Sequence, residues 1–296
     1  MADPQTSWLS LSSADLGVQV DPLGAQLSVL RDRAGRDLLW NGEAAVWSGR
    51  APFLFPIVGA LAGGSYRLGG NTYQLSRHGF ARGKRFAVLE QTPTSALLRL
   101  SADESTLKVY PFQFELDVRF ALQGPALSVS LSVRNPGTQE LPASMGFHPA
   151  FRWPLPFGQP RAAHFIELKS DEPAPVRRLD ADGLVTPETY PTPIVGRRLA
   201  LDDRLFTNDA LIFDSIRSHC LTYGAEQGPR IQVSYPDAPY LGVWTKPGAA
   251  FICIEPWRGI ADSQGFAGDF THKTGIFTVP PGACVSLNVT ITLLET

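Results

Sequence analysis

Alternation of apolar and polar residues with a period of two constrains this chain more than any other feature. From Phe112 the apolar set is Phe112, Phe114, Leu116, Val118 and Phe120, with Gln113, Glu115, Asp117 and Arg119 between them. After Gly124-Pro125 the pattern resumes as Leu127, Val129, Leu131 and Val133, alternating with Ser128, Ser130, Ser132 and Arg134. Side chains two apart share one face of a strand, whereas a helix would scatter them around its axis. The segment therefore reads as a long antiparallel hairpin with one buried face. Val285, Leu287, Val289, Ile291 and Leu293 repeat the pattern near the C-terminus. Shorter hairpins are expected where Ser65–Leu68 and Thr72–Leu75 flank Gly69-Gly70-Asn71, and where Phe86–Gln91 and Ala96–Ser101 flank Thr92-Pro93-Thr94-Ser95.

Long helices have little room. Twenty-seven glycines and 25 prolines punctuate the 296 residues throughout. One short helix is expected, around Asn208–Ser215. The Pro- and charge-rich stretch Asp171–Arg198 reads as a surface excursion within the domain, since strand hairpins continue on both sides of it. These features predict an all-β chain, a large antiparallel β-sandwich with few short helices, forming a single domain over residues 1–296. There is no βαβ rhythm, glycine-rich phosphate fingerprint or P-loop, so no nucleotide cofactor is expected.

Charge narrows the partners. Lys plus Arg number 26 and Asp plus Glu 28, a formal net charge of −2. That balance argues against nucleic-acid binding and against a polybasic membrane anchor. No apolar run approaches the length of a membrane span, and Met-Ala-Asp-Pro-Gln-Thr at the start lacks the marks of a signal peptide. Cys220, Cys253 and Cys284 have no paired spacing and no C-x-x-C, and are expected to be buried free thiols in a reducing compartment. A cytoplasmic protein, monomeric or homodimeric and without metal or cofactor, is the expectation.

Three segments place titratable residues in apolar or Gly/Pro surroundings. In Ser76-Arg77-His78-Gly79-Phe80-Ala81-Arg82-Gly83 an imidazole is flanked by arginines, which would favour its neutral form. In Ser144-Met145-Gly146-Phe147-His148-Pro149-Ala150-Phe151-Arg152-Trp153-Pro154 another sits among aromatics and prolines, where desolvation suits proton exchange. In Phe251-Ile252-Cys253-Ile254-Glu255-Pro256-Trp257-Arg258 a carboxylate ends an apolar run, a costly burial unless it is paired. Each has an ordinary alternative: a loop histidine bonded to a carbonyl, a packed histidine with one hydrogen bond, and an ion pair of Glu255 with Arg258 or Arg50. Together they supply two histidines and one carboxylate without the spacing of a metal-binding motif, an inventory suited to metal-free proton transfer. No G-x-S-x-G elbow is present, which disfavours acyl transfer.

His78-Gly79-Phe80-Ala81-Arg82, Gly146-Phe147-His148-Pro149-Ala150-Phe151 and Cys253-Ile254-Glu255-Pro256-Trp257 resemble, in order and separation, segments of the aldose 1-epimerases, the galactose mutarotase-like family, with closest flavour in its LacX-like branch. The resemblance runs from about Gln26 to about Leu293. It implies a galactose mutarotase-like supersandwich with an open sugar cleft, and interconversion of α and β anomers of a monosaccharide by ring opening and reclosure. By position it implies Glu255 as base, His148 as acid, His78 as a second histidine that hydrogen-bonds the sugar or its ring oxygen, and Arg50 as a sugar-binding arginine. Asp209 is chosen as the aspartate that holds sugar hydroxyls, with Asp214 as rival. Trp244 and Trp257 are candidate stacking platforms whose alternative is core packing, and Lys246 is a candidate contact.

Other functions fit some of these features. A hexose 6-phosphate epimerase would use cations near His78, for which Arg77, Arg82 and Lys84 are available. A non-catalytic carbohydrate-binding protein would not need the acid and base. A glycoside hydrolase would need a second embedded carboxylate.

Overall fold

The computed structural model describes residues 8–295. The N-terminal hexapeptide read for targeting features lies outside the described residues. The long hairpin forms as the alternation dictates. Glu115–Gln123 and Ala126–Arg134 pair antiparallel, joined at Gly124-Pro125, with Val129 opposite Phe120 and Leu131 opposite Val118. Cys284–Leu294 lies on the other side of the second strand, with Leu131 opposite Leu287. In this register the apolar residues of all three strands point inward and their serines and threonines outward. Phe112 and Phe114 are buried just ahead of the hydrogen-bonded ladder.

These strands are the middle of a nine-stranded antiparallel sheet. A six-stranded sheet packs against it, ordered Leu211–Phe213, Tyr240–Trp244, Phe251–Arg258, Met145–Phe147 and Phe53–Leu54, with Ala150–Arg152 also paired to Phe251–Arg258. One hydrophobic cluster fills the space between them, taking Phe53, Ile252 and Ile254 from one sheet and Phe120, Leu131 and Ile291 from the other. The Phe53 and Phe120 rings meet edge-on with centroids 6.2 Å apart. This is the expected β-sandwich. Among the described residues no helix is long and apolar enough to cross a membrane.

Some expectations are corrected. Asn208–Ser215 is not a helix. Asp209 takes a positive φ of 62°, which ends the preceding turn, and Leu211–Phe213 then pairs with Leu241–Val243 as an edge strand whose three side chains are all buried. Among the described residues the α-helix that does form is a single turn, Glu104–Leu107, capped by Asp103 and Thr106 in a reciprocal capping box. Asn71 belongs to a strand and not to the turn, because Gly69 and Gly70 alone supply the two positive φ values of the hairpin. The Asp171–Arg198 excursion is more than surface: Val176, Leu184, Val185 and Ile194 are buried, and Glu172 accepts hydrogen bonds from the Arg217 and Ser218 amides. Of the three unpaired cysteines only Cys253 is buried; Cys220 is half-buried and Cys284 exposed.

Phe120 is fully buried at the contact between the sheets. Phe120→Ala is expected to lower unfolding free energy by about 3–5 kcal/mol, because the surrounding strands cannot collapse into the space. Chemical denaturation checks this, and a change below about 1 kcal/mol would mean that the two sheets do not share this core.

Candidate active site

The face of the six-stranded sheet turned away from the core carries the candidate residues, and strand period explains why. Along Phe251–Arg258, Ile252 and Ile254 join the main core. Cys253, Glu255 and Trp257 fall on the other face. Met145–Phe147 and Ala150–Arg152 pair with this strand in one register on either side of the His148-Pro149 break: Gly146 is opposite Trp257, and Ala150 is opposite Cys253. His148 is thereby placed opposite Glu255, and His148 Nε2 lies 3.1 Å from Glu255 Oε2. On the other flank Glu255 faces Gly242, which has no side chain to compete for the space.

Two glycines make a slot for the tryptophan of this strand. A Cβ on Gly242 would come within 2.4 Å of the Trp257 ring, and one on Gly146 within 2.6 Å. The indole thus lies across its neighbouring strands. Trp47 is held similarly, folded over Gly49, where a Cβ would come within 2.4 Å of the ring.

His78 reaches the site from a loop. Its amide donates to Gly59 O at 2.8 Å, and Gly59 N–H donates to His78 Nδ1 at 3.1 Å. Because Nδ1 accepts, the ring proton of neutral His78 sits on Nε2, leaving that atom as a donor. His78 itself has a φ of 68°. The following Gly79 also has a positive φ, and a Cβ there would come within 2.2 Å of Phe55 O.

These groups border one cavity of about 180 Å³, several times the roughly 30 Å³ share of a liquid water molecule. Its walls include His78, His148, Glu255, Asp209, Trp244 and Trp257. The sequence had pointed to all six. Arg77 and Arg82 also line it, and Arg82 donates to Arg77 O at 2.8 Å. Arg50 and Lys246 do not line it. The Arg50 guanidinium donates to Ser28 O and lies over Trp8, while Lys246 Nζ points to Val46 O. Both have main-chain partners elsewhere, which motif position could not reveal. Lys84 turns away to Asp103 and Ser105. Asp214 is tied to Arg177 at 2.9 Å, which leaves Asp209 as the aspartate at the cavity.

Several wall residues had not been singled out, among them Trp47, Leu179 and Ile212. Trp47 stacks on His148, with centroids 5.2 Å apart and planes at 28°. Leu179 comes from the excursion and Ile212 from the edge strand, and neither carries a signal in its residue type.

The electrostatics follow from burial. Glu255 is 2% exposed. Desolvation pushes its pKa well above the usual carboxylate value and the Asp209 charge pushes the same way, against the neighbouring Trp257 indole N–H and then Arg77. Burial lowers His148 to about 3, helped by Arg82 and Arg77. His78 is also held well below 6.5, by burial first and then by His148 and the two arginines. The ion pairs proposed as the ordinary alternative for Glu255 do not form: Arg258 donates to Asp237 O and Ser286 O, and Arg50 to Ser28 O. Glu255 Oε2, His148 Nδ1 and Trp257 Nε1 are buried without a partner of hydrogen-bond geometry among the described residues. Buried polar atoms without partners are costly, so their grouping at one cavity marks the wall for a ligand rich in donors and acceptors. Cys253 adds a third potential ligand atom, within 4.8 Å of those of His148 and Glu255, in a set that can hold a metal ion.

The β-sandwich thus brings a buried carboxyl and two uncharged imidazoles around one compact cavity. Comparison with known proteins places the chain in a family. A family profile described as Aldose 1-epimerase matches residues 8–284. The chromosomal LacX protein of Lactococcus lactis subsp. lactis is 30% identical, over 97% of this chain and 99% of that one. The crystal structure of a galactose mutarotase related enzyme from Lactobacillus acidophilus superposes with a TM-score of 0.90 at 30% identity, covering 98% of each chain. A galactose mutarotase-like protein from Lactobacillus casei also gives 0.90, at 27% identity, over 97% of this chain and 100% of that one. The chain belongs to the aldose 1-epimerase family, a family of carbohydrate epimerases.

Gly242→Ala drives a methyl into the Trp257 ring. It is expected to destabilise the fold by about 1–3 kcal/mol, the usual penalty of overpacking. Gly17→Ala, with open space around the added atom, is the matched control. Equal denaturation midpoints for the two variants would show that the slot is not tight.

Proposed function

We propose that this protein is an aldose 1-epimerase acting on free aldohexoses such as glucose or galactose, converting one anomer into the other without metal or cofactor. The observation that carries the reading is the pairing of Glu255 with His148, 3.1 Å apart in a sugar-sized cavity. Ring opening removes the proton of the C1 hydroxyl and adds one to the ring oxygen. The C1–C2 bond then rotates, and reclosure reverses the proton movements on the other face. Glu255 takes the hydroxyl proton and His148 supplies the ring-oxygen proton. His78 Nε2–H donates to the ring oxygen as negative charge develops there. Trp244 and Trp257 offer apolar surfaces to the pyranose, and Asp209 accepts from its hydroxyls.

The base must be a carboxylate and the acid an imidazolium, whereas burial favours a protonated Glu255 and a neutral His148. The two forms contain the same number of protons. They differ by one transfer between neighbouring atoms, so the pair holds one proton in either form.

A second reading, hexose 6-phosphate, is favoured by Arg77 and Arg82 at the cavity. Arginines meet a phosphate dianion well. Nuclear magnetic resonance exchange spectroscopy on glucose, galactose and glucose 6-phosphate distinguishes the two. Saturable anomer exchange of the free sugars supports the first reading, and exchange confined to the phosphate ester supports the second.

Glu255→Gln keeps the shape and removes the base. It is expected to lower kcat by about 10²–10⁴-fold while sugar binding persists. His148→Asn is expected to act similarly by removing the acid. Wild-type-like exchange in either variant excludes the role given to that residue.

The pH profile is a separate test. Below the lowered pKa of His148, about 3, the pair gains a second proton and loses its base. Above the raised pKa of Glu255 it loses its only proton and its acid. Between these limits the one-proton state persists, so kcat/KM is expected not to fall as pH is lowered through 6.5. A drop in kcat/KM centred near 6.5 would mean that His148 titrates as an ordinary solvated histidine.

A further inference from the structure

Behind the part of the wall that carries His78 lies an ion pair that does not line the cavity. The side chains of Lys273 and Asp262 are only 1% and 4% exposed, with Nζ and Oδ1 3.1 Å apart. Lys273 Nζ also donates to Ile260 O at 2.7 Å. Asp262 brackets the segment Ala60-Leu61-Ala62: its amide donates to Ala60 O at 2.9 Å, and its Oδ2 accepts from the Ala62 amide at 2.9 Å.

Such a pair is a poor source of stability. Taking both charges out of water offsets much of their attraction, and apolar side chains of similar volume often serve a fold as well. Burial lowers the Lys273 pKa against the opposing pull of the Asp262 charge. What the pair supplies is geometry. Ala261 lies between Ile260 and Asp262, both of them anchored by the pair. It packs so closely on Gly59 that a Cβ there would come within 2.4 Å of the Ala261 Cβ. Gly59 has a φ of 75°, a conformation that glycine enters and leaves readily. It holds His78 at two points, accepting from the His78 amide and donating to Nδ1. Drift of Gly59 would loosen both bonds, and without the second the ring proton can move from Nε2 to Nδ1.

We propose that Asp262 and Lys273 are positioning residues for His78. The pair fixes the Ala60-Leu61-Ala62 segment and Ala261, these fix Gly59, and Gly59 keeps the imidazole proton on Nε2. The consequence for turnover rests on the anomer-exchange reading; the place of the ring proton does not.

A single substitution would leave one charge buried and unpaired, so the test uses two matched double variants. Asp262→Asn with Lys273→Met removes both charges and keeps an acceptor for the Ala62 amide. Asp262→Leu with Lys273→Met removes the charges and the acceptor. Nitrogen-15 spectra distinguish a protonated from a bare ring nitrogen, and the His78 signals are identified by their loss in His78→Gln. Wild-type protein and the first double variant are expected to show His78 with its proton on Nε2. The second is expected to show a mixture of tautomers, with kcat for glucose anomer exchange lowered by up to about 10²-fold and KM little changed. If the second double variant keeps the proton on Nε2, or if the first loses it to the same extent, the positioning role is overturned. A loss confined to KM overturns it as well, because the His78 donor acts as charge develops on the ring oxygen. If wild-type protein exchanges no sugar but the tautomer still changes in the second variant alone, the positioning role stands and the isomerase reading falls.

Discussion

The site depends on a carboxylate buried in the middle of a sheet with an imidazole, and not a cation, opposite it. Removing an ionised carboxylate from water costs several kcal/mol unless a partner compensates. Arg258 and Arg50, the arginines nearest in motif, both donate to main-chain carbonyls. Glu255 answers the cost by holding its proton, and His148 by giving its own up. A pair poised in this way is held in place by the large core behind it. Ile252 and Ile254, on the reverse side of the same strand, are fully buried between the two sheets. The strand cannot twist to expose Glu255 without pulling those isoleucines from the core.

The same strand explains the glycines around the cavity. An aromatic ring lying flat on a sheet needs neighbours without side chains, and Gly146 and Gly242 flank Trp257 on either side. Glycine weakens a strand through backbone entropy and missing packing. The indole restores the packing while presenting one face to the cavity. Trp47 over Gly49 is the same device, and its stacking on His148 is part of what desolvates the imidazole.

Much of the fold was legible because period-two patterning reports directly which side of a strand is buried. The Glu115–Gln123 and Ala126–Arg134 hairpin and the C-terminal strand follow from it almost residue by residue. Leu211–Phe213 was not legible. Three consecutive buried residues on an edge strand carry no alternation, so the segment is indistinguishable from one apolar turn of helix. In the site, Glu255, His148 and His78 stood out because each is a titratable group in surroundings that penalise charge. Their resemblance to known segments added roles, but motif position could not place Arg50 or Lys246, whose partners are carbonyls distant in sequence. Leu179 and Ile212 line the cavity through tertiary position alone.

With His148 as the proposed acid, which must become cationic, two arginines at the site look at first like a defect, since Arg77 and Arg82 both disfavour the imidazolium. Under the proposed reaction they are not. The ring oxygen and then the C1 oxygen gain electron density as the ring opens and recloses, and positive charge at the rim lowers the energy of both. It also opposes the rise in the pKa of Glu255 that burial and Asp209 cause. The arginines therefore push His148 to release its proton and Glu255 to give up its own, which makes one a stronger acid and the other a weaker base. Because an anomeric interconversion passes through the open chain and returns by the same steps in reverse, neither partner can be optimised alone. What must be matched is the proton affinity of the two, and a shared positive field lowers both together.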